Sequence, residues 1–262
     1  MPTDSPKFVD LHTHVLPGLD DGARSLEESL LMLRDAAVDG TCEMVATPHH
    51  NDVFRNDAAS SADHVQSLQH EAGSKVKIHS GCEVTIDPDS LQAILEAPEM
   101  WTINRTRYVL VEFPPTLAPR LAGRVLSEIL NGRLTPIVAH PERMPAFRDD
   151  LDTLQSWCRN GAALQVTAGS LDQRFGSHAQ QAAMRMVRAG LVTIVASDSH
   201  DTVKRPPSLL SAWRRLATEF GDSFAAQVLS VNPGRVVRGE SFDTIPARPR
   251  TRGLRRFFSW AS

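Results

Sequence analysis

Residues 7–50 read KFVDLHTHVLPGLDDGARSLEESLLMLRDAAVDGTCEMVATPHH, and this stretch decides the fold. It opens on a strand candidate, Lys7–Leu11, that runs straight into Asp10-Leu-His12-Thr-His14. Ser25-x-x-Glu28 follows, a capping box in which hydroxyl and carboxylate satisfy the first free amides of a helix. Leu26, Leu30, Leu33 and Ala37 fall on one face of that helix, Asp39 ends it and Gly40 closes it. A second short β-branched run, Glu43–Ala46, then ends at Thr47-Pro48-His49-His50. Strand, helix and strand at this spacing imply two parallel strands joined by a right-handed crossover.

The same alternation continues outward. Val76–Ser80, Tyr108–Phe113, Pro136–Ala139, Ala163–Thr167 and Val192–Ala196 complete a set of seven strand candidates. Between them, Leu151/Leu154/Trp157/Cys158, Met184/Val187/Leu191 and Leu209/Trp213/Leu216 repeat the helical period, the last behind Pro206-Pro207. No repeat or composition break interrupts the pattern before residue 240. The expected fold is therefore α/β, a barrel-like domain over residues 1–243, with a Pro/Arg-rich appendage over 244–262.

The strands end in an unusual set of residues. Besides His12, His14, His49 and His50, these are Glu83 after the third strand, Glu112 on the fourth and His140-Pro-Glu-Arg143 after the fifth. The seventh leads into Asp198-Ser-His200, and the first loop adds Asp20 and Asp21. In a parallel barrel these ends share one rim, where barrel active sites are built. His12 and His14, like Asp198 and His200, are two apart on extended chain, so each pair faces one way. So many carboxylates and imidazoles on one rim need positive charge among them, and divalent cations supply it. Nitrogen and oxygen ligands without thiolate favour Mn²⁺, Fe²⁺ or Zn²⁺, and the ligand number suits two or three ions. Asp10 is expected to orient His12, and His50 to sit behind the ligands. His64, His70 and His79 have no such placement and read as solvent-facing or structural; His178, near a helix start, reads as a surface residue, with substrate contact as the alternative.

Composition narrows the classes. With 41% hydrophobic and 23% charged residues the chain excludes disorder throughout, a coiled coil and a collagen-like repeat. The net charge is −3, and residues 246–262 hold five Arg without an acid, so the other residues carry −8. That body does not suit nucleic acid. The three Cys, at 42, 82 and 158, have no paired spacing, which excludes a disulfide scaffold and a zinc ribbon and fits a reducing compartment. A Cys-based phosphatase loop, Cys-x₅-Arg, is also excluded, because Pro48, Pro88 and Leu164 stand where its arginine belongs. There is no secretory signal pattern and no apolar run approaching the roughly 20 residues of a membrane span.

The set DLHTH, LDDG, ATPHH, GCE, VEF, AHPER and ASDSH resembles the polymerase-and-histidinol-phosphatase (PHP) superfamily. Within it, HVLPGLDDGA, TPHH and the RPP after SDSH resemble the manganese-dependent protein-tyrosine phosphatases of bacterial capsule and exopolysaccharide systems, from about Phe8 to about Val237. The resemblance implies a distorted seven-stranded β/α barrel with three metal ions, most readily Mn²⁺, at its mouth. It assigns His12, His14, Glu83 and Asp198 to one ion, Glu83, Glu112 and His140 to a second, and Asp21, His49 and His200 to a third. Arg143 and Arg205 correspond to two arginines that contact phosphate. Met144 stands where relatives often have a polar or aromatic residue.

The implied reaction is phosphotyrosine hydrolysis by a cytoplasmic enzyme acting on a membrane-associated bacterial tyrosine kinase. The alternatives are a histidinol-phosphatase-type esterase of small phosphomonoesters, a PHP exonuclease and a catalytically weak PHP regulatory module. The exonuclease needs a basic groove, and the regulatory module would have lost ligands that are all present here. In the tail, Arg248, Arg250, Arg252, Arg255 and Arg256 precede Phe257, Phe258 and Trp260, a pattern suited to peripheral contact with an anionic membrane.

Overall fold

Every pairing between named strands is parallel, as the spacing of strands and helices predicts. The computed structural model describes residues 6–243; the Arg-rich tail lies outside the described residues. The strands are β1 (Phe8–Thr13), β2 (Thr41–Ala46), β3 (His49–His50), β4 (Lys77–Ser80), β5 (Glu83–Thr85), β6 (Tyr108–Glu112), β7 (Thr135–Ala139), β8 (Ala163–Thr167) and β9 (Val192–Ala196). The helices are α1 (Leu26–Asp39), α2 (Ser61–Ala72), α3 (Pro88–Glu96), α4 (Pro119–Asn131), α5 (Leu151–Arg159), α6 (Ala168–Leu171), α7 (Gly176–Arg188), α8 (Leu210–Phe220), α9 (Asp222–Ala226) and α10 (Asn232–Val237).

The strand order is β1-β2-β4 in one sheet and β3-β5-β6-β7-β8-β9 in the other. Ala46 pairs with Ser80, and His49 with Glu83. The sequence offset is the same in both, so β3 and β5 prolong the β2/β4 ladder past an interruption at Thr47-Pro48 and Gly81-Cys82. Pro48 has no N–H to donate there. The two short strands, unforeseen from the sequence, are thus continuations, and seven strand lines remain. The first and last meet where Asp198 N–H donates to His12 C=O at 2.9 Å and His14 N–H to Ser199 C=O at 2.8 Å. The result is a distorted seven-stranded β/α barrel.

Alternation along each strand divides the core. Val9, Leu11, Val45, Tyr108, Leu110, Ile137, Ala139, Ala163, Ile194 and Ala196 fill the interior, with Val236 and Val237 of α10 below them. Val109, Val111, Val138, Leu164, Val166 and Val195 face the surrounding helices. With its apolar residues buried below, the barrel leaves only its upper rim for the polar strand ends.

Three local expectations change. The buried face of α1 is Ser29, Met32, Leu33 and Ala36, whereas Leu26 is exposed; the helix is rotated so that Met32 reaches Met44 and Ile78 under α2. Its capping box is half formed. Ser25 accepts from Glu28 N–H, but the Glu28 carboxylate turns to the backbone N–H and guanidinium of Arg24. α8 begins at Leu210 rather than at the two prolines, because Asp39 caps it from the end of α1. No helix among the described residues is long and apolar enough to cross a membrane.

Candidate metal centre

Strand ends deliver the polar residues to one place. β1 carries His12 near its end and leads on to His14, the β2/β3 line supplies His49, and the β4/β5 line supplies Glu83. Glu112 is the last residue of β6, His140 follows β7, and Asp198 and His200 follow β9. His140 and Asp198 adopt φ of 34° and 54°, the left-handed region that costs an L-residue energy. Both side chains are held at the rim in spite of that cost. The β1–α1 loop folds back beside them because Gly22 lies against His14; a Cβ there would fall 2.1 Å from the His14 carbonyl oxygen.

Glu83 lies at the centre, fully buried. Its Oε2 is 3.0 Å from His12 Nε2, 3.1 Å from His49 Nδ1 and 3.3 Å from His14 Nε2, and its Oε1 is 2.9 Å from His140 Nε2. Asp198 Oδ1 lies 3.4 Å from His12 Nε2 and 3.5 Å from His14 Nε2. Glu112 Oε1 stands 3.8 Å from His140 Nε2. At the outer edge, Asp21 Oδ1 is 3.5 Å from both His49 Nε2 and His200 Nε2. All nine candidate ligands are brought together, and donor atoms of each local group lie within 4.8 Å of one another.

The electrostatics are those of a cluster built around charge. Burial pushes the Glu83 carboxyl upward, but the charge of His12 and the close approach of His12, His14 and His140 outweigh it and hold it well below the usual range. Asp198 is likewise held well below, its burial offset by the charge of His12, the close His14 ring and the nearby His140 and Arg205. Burial works downward on His12 and His14, yet the surrounding carboxylates raise both. His49 is brought down to about 4, chiefly by burial.

Many of these contacts are poorly directed as hydrogen bonds. Glu83 Oε2, His49 Nδ1 and His200 Nε2 are buried without a satisfied partner, and Nε2 of His12 and His14 face each other at 3.1 Å. Buried polar atoms ordinarily find hydrogen bonds. Imidazole nitrogens and carboxylate oxygens that converge with several of them left unpartnered fit divalent cations between them, with no thiolate among the donors.

Behind the candidate ligands the structure departs from expectation. His12 is oriented by Gln165, to whose Oε1 its Nδ1 donates at 2.9 Å, and not by Asp10. Asp10 instead accepts from Ser197 N–H at 2.9 Å, joining β1 to β9, and burial raises its pKa to about 6. β8, the one strand without an ionisable end residue, therefore also serves the site. The available signal was a lone Gln in the inward-facing set Ala163, Gln165 and Thr167 of a buried strand. Asp20 orients His14, accepting from its Nδ1 at 2.6 Å and from His49 N–H at 3.0 Å, while Asp21 faces the other two imidazoles. His50 donates from Nδ1 to Asn56 C=O and packs on Trp101. His64, His70 and His178 are exposed, and buried His79 pairs with Glu43. Met144 is buried in the core.

Arg143 and Arg205 both reach Asp198 Oδ2, Arg205 Nη2 at 2.6 Å. Two guanidinium groups beside a metal-type cluster can receive an anion with several oxygens. Two of the thiols are kept protonated: burial pushes Cys158 up to about 11 and raises Cys82 strongly.

The chain matches the family described as capsular polysaccharide synthesis, CpsB/CapC, over residues 8–238. It is 32% identical to the tyrosine-protein phosphatase YwqE of Bacillus subtilis (strain 168), over 96% of this chain and all of that one. It is 28% identical to the tyrosine-protein phosphatase CpsB of Streptococcus pneumoniae, over 88% of this chain and 98% of that one. The crystal structures of YwqE and CpsB, described as metal-dependent tyrosine phosphatases, include a chain that superposes with a TM-score of 0.84 at 31% identity. The match covers 93% of this chain and 100% of that one.

Proposed function

Because the chain belongs to the CpsB/CapC family of capsular polysaccharide synthesis, we infer that it is a metal-dependent protein-tyrosine phosphatase of a capsule or exopolysaccharide system. The observation that carries this reading is the convergence of five imidazoles and four carboxylates beside Arg143 and Arg205. In this reading His12, His14, Glu83 and Asp198 hold one cation. Glu83, Glu112 and His140 hold a second, and Asp21, His49 and His200 a third. The mixed nitrogen and oxygen donors suit Mn²⁺, with Fe²⁺ and Zn²⁺ as competitors. Cations so bound supply hydroxide near neutral pH and neutralise phosphate charge.

The chain's own residues do the rest. Arg143 and Arg205 bind the non-bridging phosphate oxygens and stabilise the charge that grows on them. Gln165 and Asp20 hold His12 and His14 with their Nε2 atoms turned inward. Water adds to phosphorus, the ester oxygen leaves as the tyrosine phenol, and inorganic phosphate remains. A phenol of pKa about 10 is a good leaving group, so the reaction needs no strong general acid. The substrate is a phosphotyrosine protein, and the capsule context points to a membrane-associated bacterial tyrosine kinase, with the enzyme working in the cytoplasm.

The test uses a phosphotyrosine peptide. Chelation is expected to abolish turnover, Mn²⁺ to restore it, and thiol alkylation to leave it standing, since Cys82 is buried and the Cys158 thiol stays protonated near neutral pH. Full turnover in chelator would refute the metal mechanism.

A further inference from the structure

Arg143 follows β7 and Arg205 follows β9, and the strand between them is β8. The chain leaving β8 passes through α6 and reaches Phe175 just before α7. Its ring lies against both arginines, with the Arg143 guanidinium carbon 4.4 Å from the ring centroid and that of Arg205 at 5.8 Å. Both fall within the roughly 6 Å over which a ring face attracts a cation.

We propose that Phe175 is a positioning residue that holds Arg143 and Arg205 together as one phosphate clamp. This rests on the reading that the two arginines bind phosphate. Two guanidinium groups on one carboxylate oxygen repel each other, and an aromatic face beside both offsets that repulsion without adding a negative charge that would compete with phosphate.

The Phe175 loop is built to stay in place. Arg174 Nη1 donates to Lys204 C=O at 2.8 Å, tying this loop to the residue before Arg205. Ser211 on α8 donates to Asp172. Gln180 Nε2 donates to Leu171 C=O at 2.7 Å. Gly169 lets the loop pack closely, since a Cβ there would lie 3.2 Å from the Phe175 ring and 3.1 Å from Arg174 Cδ. None of these contacts is needed to hold a cation.

The experiment measures, on Mn²⁺-loaded full-length enzyme, inhibition by inorganic phosphate, kcat and KM for a soluble aryl phosphate, and metal content. Arg205→Ala and Arg143→Ala report on the arginines, and Arg205→Ala is expected to lose about 10²–10³-fold in kcat/KM. Phe175→Leu keeps apolar bulk without a ring face, and Phe175→Tyr keeps the face. Phe175→Leu and Phe175→Ala should weaken phosphate inhibition about five- to thirtyfold with metal content unchanged, and Phe175→Tyr should restore it. Wild-type phosphate inhibition in Phe175→Leu, alongside weakened inhibition in the arginine variants, would overturn this inference alone. Unchanged inhibition in both arginine variants would overturn the reading of the arginines, and the inference with it.

Discussion

His12 can serve a cation only with the lone pair of Nε2 turned inward, and Gln165 makes that choice by accepting from Nδ1. Replacing Gln165 by Leu should therefore lower metal affinity about 10–100-fold, the usual cost of losing a partner behind a ligand. Competition against a chelator measures it, and unchanged affinity would leave Gln165 a mere core filler. The charges of the cluster lead to a second expectation. Without metal, the neighbouring carboxylates favour the protonated imidazoles of His12 and His14 and raise both pKa values, while those imidazoles hold the Glu83 and Asp198 carboxyls low. A cation binds only the deprotonated imidazoles, so loading should release protons and affinity should fall as pH falls. Calorimetry of Mn²⁺ binding in buffers of different ionisation enthalpy reads the release. An affinity that does not fall as pH is lowered would contradict the assignment of these two imidazoles as ligands.

Helix α8 has no capping side chain of its own. Asp39, at the last turn of α1, accepts from Leu209 N–H at 2.6 Å, Leu210 N–H at 2.9 Å and Ser208 Oγ at 3.1 Å. One carboxylate thus satisfies the open amides of a helix distant in sequence and ties the two elements together. Asp39→Ala should cost about 1–2 kcal/mol of stability, as the loss of a helix cap generally does, and Asp39→Asn much less. Urea unfolding measures the loss. Turnover at low temperature should not change, because Asp39 makes none of the contacts of the metal-type cluster. A loss below about 0.3 kcal/mol would mean that water replaces the cap without cost.

The molecule has two poles. The candidate ligands crown the C-terminal ends of the strands, whereas Tyr108, the first residue of β6, lies at the opposite end. There its hydroxyl donates to Glu240 C=O at 2.6 Å, Phe242 packs on its ring at 5.8 Å, and Asn232 Nδ2 donates to Asp243 C=O at 2.9 Å. The described chain therefore ends at the pole away from the cluster. The five-arginine tail beyond it is expected to act on attachment and not on chemistry, each cation near an anionic surface contributing about 1 kcal/mol. Truncation after Thr244 should leave turnover of a small aryl phosphate unchanged and weaken salt-sensitive binding to acidic vesicles. Equal vesicle binding with and without the tail would remove its membrane role.

Residues close in sequence determined much by themselves. The strand of Lys7–Leu11 running into His12 and His14, and the similar ends at His49, Glu83, Glu112, His140 and Asp198, made a parallel barrel with a rim of imidazoles and carboxylates legible from the sequence. The period of a strand and its termination are local properties, and so is the direction of side chains two residues apart. The tertiary structure decided what depends on which segments become neighbours. It gave His12 to Gln165 instead of Asp10, rotated α1 onto Met32 and Ala36, capped α8 with Asp39, and set Phe175 against two arginines. Each of these joins elements far apart in the chain. Such a contact is fixed by strand order, register and close packing, and no sequence window holds both of its partners.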